Sequence, residues 1–180
     1  MAINKPFNLN KWIEQNRELL KPPVGNKSIY KNSDDYIVMI VAGPNSRKDY
    51  HYNETEELFY QLEGNIELHV QENGEKATMK LGPGDMYLHP AKIPHSPVRH
   101  EGSIGLVIER KRMGEDAKDG LLWFCENCNN KLYEVYFPLQ NIETDFLKHF
   151  KDFYESKELR TCDKCGTEMP IDKLFKVDND

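Results

Sequence analysis

Two passages concentrate the residue types that can hold a metal ion and work on a molecule bound to it. In residues 43–64 His51 is followed six positions later by a carboxylate, Glu57; in residues 84–99 a Gly-Asp turn and Pro90 lead to a second histidine, His95. Each histidine sits near the end of a run of strand formers, beside turn residues, so both can be presented from neighbouring strands of one small barrel. Two neutral imidazoles and one carboxylate on one face of a metal leave three coordination positions open. That set suits non-haem Fe(II), which must hold a substrate and O2 together. Spacing alone also admits a blander reading, a surface or core His/Glu pair. Glu57 also competes with Glu54 and Glu56, which could be a solvated acidic face.

All four cysteines fall in two C-x-x-C pairs, Cys125/Cys128 and Cys162/Cys165. Each pair can grip one metal from a tight turn, and two pairs complete a tetrahedral S4 site for Fe or Zn with no position left open, which favours a structural role over direct catalysis. The 33 residues between the pairs exceed a compact ribbon, and a helix around 145–154 can fill the gap. A disulfide framework is the competing reading; a reducing compartment disfavours it.

The two histidine passages resemble the paired motifs of the cupin superfamily. In the first, G-x5-H-x-H-x3-4-E-x6-G, His51, Glu57 and Gly64 match, and Asn53 stands where a second His usually lies. In the second, G-x5-P-x-G-x2-H-x3-N, Gly84, Pro90 and His95 match, with Lys92 for the Gly and Arg99 for the Asn. These departures, with the stretches GPNSRKDYHYNETEELFYQLEG and LVIERKRMGEDAKDGLLWFCENC, resemble the 3-hydroxyanthranilate 3,4-dioxygenase family in its short bacterial form with a Cys-rich tail. The resemblance runs from LLKPPVGNK to the final CDKCG. It implies catalytic Fe(II) held by His51, Glu57 and His95, and contacts to substrate or oxygen from Arg47, Arg99 and Glu109. It also implies a rubredoxin-like iron at the four cysteines, and a homodimer. The implied reaction opens the ring of 3-hydroxyanthranilate with O2 to 2-amino-3-carboxymuconate semialdehyde, a step of the kynurenine pathway toward quinolinate and NAD. Such extradiol-type cleavage needs no external reductant, which favours a structural role for the cysteine site.

Arg99 lies four residues after His95, close enough in chain to share its cavity, and a guanidinium grips a carboxylate through a planar two-point fork. Glu109 beside a substrate carboxylate would repel it unless Arg99 lies between or a proton is shared. Arg47 is expected to stabilise charge developing on oxygen. Surface charge is the plain alternative for both arginines. Two other functions stand beside the main one: a cupin dioxygenase for another aminophenol or a thiol, and a non-catalytic cupin that binds without consuming O2.

The elements that must position these groups follow from periodicity and turn chemistry. Trp12, Ile13, Leu19 and Leu20 mark a helix over 10–20, with Asn10 as N-cap and Pro22-Pro23 as its stop. Residues 29–112 read as short strands: the apolar run 36–42, the alternating Ile66, Leu68 and Val70, a strand over 86–90 and another over 104–109. Asn73-Gly74 signals a hairpin, and Gly82-Pro83-Gly84-Asp85 another turn. Gln61 and Phe59 alternate with Glu57 toward the interior, Phe59 as core. Beyond 116, strands are expected at 121–125 and 132–139. Ile142, Phe146, Phe150 and Phe153 then make the stripe of one helix, and a polar tail begins at Asp178. The expectation is a mainly β chain: a small antiparallel cupin barrel (a double-stranded β-helix, or jelly roll) with an N-terminal helix and a small C-terminal α+β metal-binding appendage. The division is placed between residues 1–115 and 116–180. His69, His89, His100 and His149 are assigned structural or exposed roles, His69 on its strand's polar face and His149 away from the helix phenylalanines.

The composition narrows the partners. Across 180 residues, 24 Lys+Arg against 30 Asp+Glu give a net charge of −6, and the pI of 5.6 comes without a basic cluster. Nucleic acid and acidic membrane are therefore poor main partners. The uncharged apolar run 36–44 is far shorter than the ~20 residues that cross a bilayer. The N-terminal residues carry no export signature. A cytoplasmic protein acting on a small aromatic molecule and O2 is expected. With 38% hydrophobic residues the core is modest, and a metal crosslink would be useful.

Overall fold

The computed structural model of the chain describes residues 5–21, 25–45, 47–112, 118–141 and 144–171. The chain opens with helix α1, Leu9–Asn16, followed by a 3-10 turn, Arg17–Leu20. The cap is Asn8, not the expected Asn10. Asn8 is extended (φ −86°, ψ 116°), and its side-chain oxygen accepts the Lys11 N–H at 2.9 Å, which an asparagine already inside the first turn is not placed to do. Ile13 and Leu20 pack on Ile40, Ala42 and Ile104, so the helix is docked on the barrel as its apolar spacing requires. Pro22-Pro23 lie outside the described residues.

Eleven strands follow among the described residues: β1 (Asn26–Ser28), β2 (Tyr36–Ala42), β3 (Tyr50–Tyr52), β4 (Glu57–Glu63), β5 (Ile66–Glu72), β6 (Glu75–Leu81), β7 (Met86–His89), β8 (His95–Arg99), β9 (Ile104–Arg110), β10 (Asp119–Phe124) and β11 (Lys131–Phe137). They form two antiparallel sheets, ordered β1-β2-β9-β4-β7 and β11-β10-β3-β8-β5-β6. This is the mainly β two-sheet barrel that the strand spacing predicts. Met39, Phe59 and Val107 of the first sheet meet Ile66, Leu68, Val70 and Leu81 of the second in a shared core. The β5–β6 hairpin turns at Asn73 and Gly74, whose φ values of 51° and 82° are the positive pair a type I′ turn needs.

Strands β10 and β11 begin slightly earlier than their sequence-based bounds, and β10 pairs with β3 so that Leu121 lies opposite His51. Residues 119–137 therefore continue the second sheet. The expected boundary between 115 and 116 falls within 113–117, outside the described residues. Helix α2, Asp145–Glu155, carries Phe146, Phe150 and Phe153 inward against Leu121, Trp123 and Phe137. Ile142, the first member of that stripe, and the tail from Asp178 are outside the described residues. A short helix α3, Lys157–Arg160, leads to the second cysteine pair. Among the described residues no helix is long and apolar enough to cross a membrane.

Candidate functional site

Strand parity brings the three expected ligands together. His51 on β3 and His95 on β8 are direct cross-strand partners, with ring centroids 5.4 Å apart. Glu57 opens β4 of the opposite sheet, and its alternation with Phe59 and Gln61 turns its side chain inward. One ligand atom from each of His51, Glu57 and His95 lies within 4.8 Å of the others. All three residues are buried, whereas Glu54 and Glu56 are exposed. The acidic-face reading therefore holds for those two and not for Glu57.

The donor set fits a divalent transition metal. His51 Nε2 stands 2.6 Å from Asp119 Oδ1. A neutral imidazole that gives its Nε2–H to a carboxylate keeps the Nδ1 lone pair for a metal, the carboxylate–histidine arrangement common at such sites. Burial pushes the His51 imidazole toward this neutral, ligating form, against the pull of Asp119. His95 Nε2 lies 3.1 Å from Glu57 Oε2, and His95 Nδ1 is buried with no hydrogen-bond partner among the described residues. Burial alone would raise the Glu57 carboxyl. The His95 imidazole at hydrogen-bond distance, with His51 and Arg112 beyond it, overturns that effect and holds Glu57 at about 2. A buried carboxylate facing two buried imidazoles is an arrangement a cation completes.

The expected second tier divides into one free group and two engaged ones. Arg99 is 2% exposed, and its Nε and Nη1 are buried without hydrogen-bond partners among the described residues. Its backbone is fixed by Asn45, whose Oδ1 accepts the Arg99 N–H at 3.0 Å and whose own N–H reaches Arg99 O at 3.1 Å. Burial, with repulsion from Arg47, brings the Arg99 guanidinium down to about 10 against the attraction of Glu57. Arg47 is clamped to Asp49, Nε to Oδ1 at 2.9 Å and Nη2 to Oδ2, and lies 5.4 Å and 5.1 Å from the ring centroids of Phe146 and Phe150. Glu109 is opposite Glu57 in the β4–β9 ladder, 2.9 Å from Arg112 Nη1 and 3.2 Å from Asn53 Nδ2. Burial and the Glu57 charge still push its carboxyl up to about 8. Within this acidic group it is the one that most readily carries a proton.

Asp119 and Arg112 went unrecognised in the sequence. Their only local signal is a charged residue at each end of the short stretch linking two apolar strands, with Asp119 leading directly into GLLWF. Asn53, read there only as a missing histidine, donates to both Glu57 and Glu109. Phe146 of α2 also packs on His51, centroids 5.1 Å apart, so residues beyond 116 help to wall the site.

The other histidines take structural or peripheral places. His89 is buried 4.3 Å from the His95 ring, its Nε2 2.8 Å from Ile93 O; burial and His95 lower it to about 4. His69 pairs with Glu67 at 3.5 Å, and His100 is exposed. His149 stacks on Phe137 at 4.1 Å, so it packs on a β11 aromatic although it lies off the helix's own phenylalanine stripe.

The four cysteines gather as a second cluster, their sulfurs within 4.8 Å of one another. Cys125 and Cys165 sulfurs are 3.5 Å apart, and Cys128 and Cys162 sulfurs 3.6 Å apart. A disulfide needs ~2.05 Å, whereas four sulfurs ~2.3 Å from one ion sit about 3.8 Å apart. The disulfide alternative is therefore not adopted. Matching turns support both pairs: Asn129 N–H donates to Cys125 O at 2.9 Å, and Gly166 N–H to Cys162 O at 2.8 Å. A cavity of about 610 Å³ beside this cluster is lined by Arg47, Tyr50, Ser96, Val98, Phe124 and Cys128 among others.

Comparisons with known proteins agree over most of the chain. The family profile described as 3-hydroxyanthranilic acid dioxygenase matches residues 1–154. A protein of Xanthomonas campestris named 3-hydroxyanthranilate 3,4-dioxygenase is 55% identical over 170 residues, covering 94% of this chain and 95% of the relative. Proteins of the same name from Burkholderia cenocepacia and Bacillus thuringiensis are 44% identical over 171 residues and 42% identical over 165 residues. They cover 94% and 91% of this chain and 96% and 91% of their own lengths. Among solved structures, a cupin-2 domain protein from Shewanella frigidimarina aligns with 57% of this chain and 91% of its own, at 19% identity and a TM-score of 0.44.

Proposed function

This chain belongs to the 3-hydroxyanthranilic acid dioxygenase family, and from that premise we propose that His51, Glu57 and His95 hold a catalytic ferrous ion around which Arg99, Glu109 and Arg47 handle substrate and oxygen. The activity is metal-dependent ring cleavage of 3-hydroxyanthranilate: the bond between the hydroxyl-bearing carbon and its unsubstituted neighbour opens, and both atoms of O2 enter 2-amino-3-carboxymuconate semialdehyde. When bound, the metal supplies Lewis acidity and a common meeting point for the aromatic hydroxyl and amino groups and O2.

The protein's own groups do the rest. Arg99 receives the substrate carboxylate. Its Nε–H and Nη1–H have no partner among the described residues, so a carboxylate that reaches this guanidinium meets positive charge and open N–H donors together, which sets its position and the orientation of the ring. Glu109, raised by its buried surroundings, can take a proton from the substrate hydroxyl and hold it on a carboxyl oxygen while Arg112 and Asn53 keep that carboxyl in place. Arg47, held by Asp49 and the two phenylalanine faces, adds fixed positive charge on the side where negative charge develops on oxygen. Phe59, edge-on to His95 at 5.8 Å, and Phe146 keep water from the ligand rings.

One observation carries the reading: a fully buried guanidinium whose Nε and Nη1 have no partner among the described residues, close enough to Glu57 to feel its charge. Anaerobic loading with Fe(II), then oxygenated 3-hydroxyanthranilate, is expected to give one O2 consumed per ring opened, read by the product's ultraviolet absorbance. Ring binding without O2 uptake would mark a binding module, and equal turnover of 2-aminophenol would remove the carboxylate from the specificity.

The cysteine cluster, in the same reading, holds an iron or zinc ion that staples the C-terminal segment to β10, and the cytoplasm keeps its thiols reduced. The enzyme is a homodimer in this proposal. Strands β2 (YIVMIVA) and β9 are apolar on both faces, the pattern of strands covered on both sides, yet α1 covers only one end. On the same sheet, Met86 and Leu88 of edge strand β7 are 65% and 54% exposed and Tyr36 of β2 is 49% exposed, with Leu58 opposite both Leu88 and Ile108. A second copy is the occupant that buries such a face. Leu88→Asp is expected to convert a dimer to monomers by sedimentation; a wild-type monomer at micromolar concentration would refute the dimer.

A further inference from the structure

The site is enclosed by a hydrogen-bonded chain that runs from one ligand to another. His51 Nε2 meets Asp119 Oδ1 at 2.6 Å. Arg112 Nε donates to Asp119 Oδ2 at 2.6 Å, and its Nη2 reaches Asp119 Oδ1. On its other side Arg112 Nη1 donates to Glu109 Oε2 at 2.9 Å. Asn53 Nδ2 then joins Glu109 Oε2 at 3.2 Å to Glu57 Oε2 at 3.3 Å. The side chains of Arg112, Asp119 and Glu109 are 6%, 0% and 1% exposed. Arg112 Nη2 also stands 3.5 Å from His51 Nε2, but Asp119 is the nearer partner, so the donor–acceptor pairing stays with the carboxylate.

We propose that Arg112 is a positioning residue for the dioxygenase reaction. Its single guanidinium clamps Asp119 onto ligand His51 and Glu109 onto Asn53, setting ligand geometry and the proton-handling carboxylate together. The inference rests on the metal site proposed above. The topology explains why one residue can do this. Glu109 is the penultimate residue of β9 in the first sheet, and Asp119 begins β10 of the second. Arg112, in the connection between them and held by Arg110 O at 3.1 Å, therefore ties the two sheets at the one end where ligands from both converge. A planar fork is required. Lysine carries the same charge as a single point and cannot bridge two carboxylates with fixed angles.

The test uses full-length protein with its cysteine cluster filled and the other site stripped, titrated with Co(II) in competition with a chromophoric chelator. Arg112→Lys is expected to weaken Co(II) binding about tenfold to a hundredfold, the usual effect of losing a group behind a ligand, and to lower kcat with Fe(II) more than it raises KM. Asp119→Asn, nearly isosteric, should weaken Co(II) similarly while leaving KM near wild type, because the Glu109 branch is intact. It also keeps the proposal testable if the lysine variant fails to fold. Wild-type Co(II) affinity and kcat in Arg112→Lys would overturn the positioning role, as would a wild-type Co(II) affinity in Asp119→Asn. If wild-type protein takes up no Co(II) beyond the cysteine cluster, the metal site itself fails, a different outcome from either.

Discussion

Arg99→Ala is expected to raise KM for 3-hydroxyanthranilate by about two to three orders of magnitude while leaving the substrate-free fold at least as stable. The two halves of this expectation share one cause. Without substrate, Arg99 is buried with two donors that have no partner among the described residues, so its charge costs desolvation and returns little; removing it relieves that cost. In the complex the same guanidinium meets a carboxylate in a dry site, and breaking such a pair costs about 2–5 kcal/mol, each 1.4 kcal/mol being a factor of about ten. Thermal melting without substrate should therefore not fall, and KM should rise steeply. A decarboxylated analogue, 2-aminophenol, should lose little between wild type and variant, because it never used the fork. A gentler perturbation checks the geometry: a Cβ on Gly105 would lie 3.0 Å from Arg99 Nη1 and 2.9 Å from Gln61 Oε1. Gly105→Ala should push the fork aside and raise KM about tenfold. An unchanged KM in Arg99→Ala removes Arg99 from carboxylate recognition.

Glu57→Gln is expected to abolish turnover, by about three orders of magnitude or more in kcat, which corresponds to about 4 kcal/mol of lost transition-state stabilisation, with loss of the catalytic metal. The amide keeps the shape of the side chain and removes its negative charge, so two neutral imidazoles and a neutral oxygen face the cation. Metal content should drop by one equivalent per chain while the cysteine-bound ion stays. The variant separates charge from packing through its neighbour. Because Glu57 helps to raise Glu109, the Glu109 carboxyl should titrate lower in the metal-free variant than in metal-free wild type, measurable by carboxyl NMR. Full metal content together with wild-type kcat in Glu57→Gln would remove this carboxylate from the ligand set.

His51, Glu57 and His95 were legible because strand alternation and nearby turn residues are local: spacing along the chain sets which face each side chain takes. The two C-x-x-C pairs were legible for the same reason, since each grips from one tight turn. The start of α1 was misplaced by two residues because Asn8 and Asn10 both suit a cap, and only backbone geometry tells them apart. Arg99 was legible as a charge near His95, but not as a buried guanidinium with two donors unpartnered among the described residues, since burial is a property of the closed barrel.

What the amino-acid order determined by itself was the inventory: the side chains that could hold a metal, the turns that present them and the mainly β architecture. What the tertiary structure alone decided was how distant groups are matched. Asp119 lies 68 residues from His51, and it meets that imidazole only because β10 pairs with β3; Arg112 joins Glu109 to Asp119 only where the two sheets meet. No periodicity encodes such matches. They follow from closing the barrel, where each buried polar atom must find its partner in space rather than along the chain.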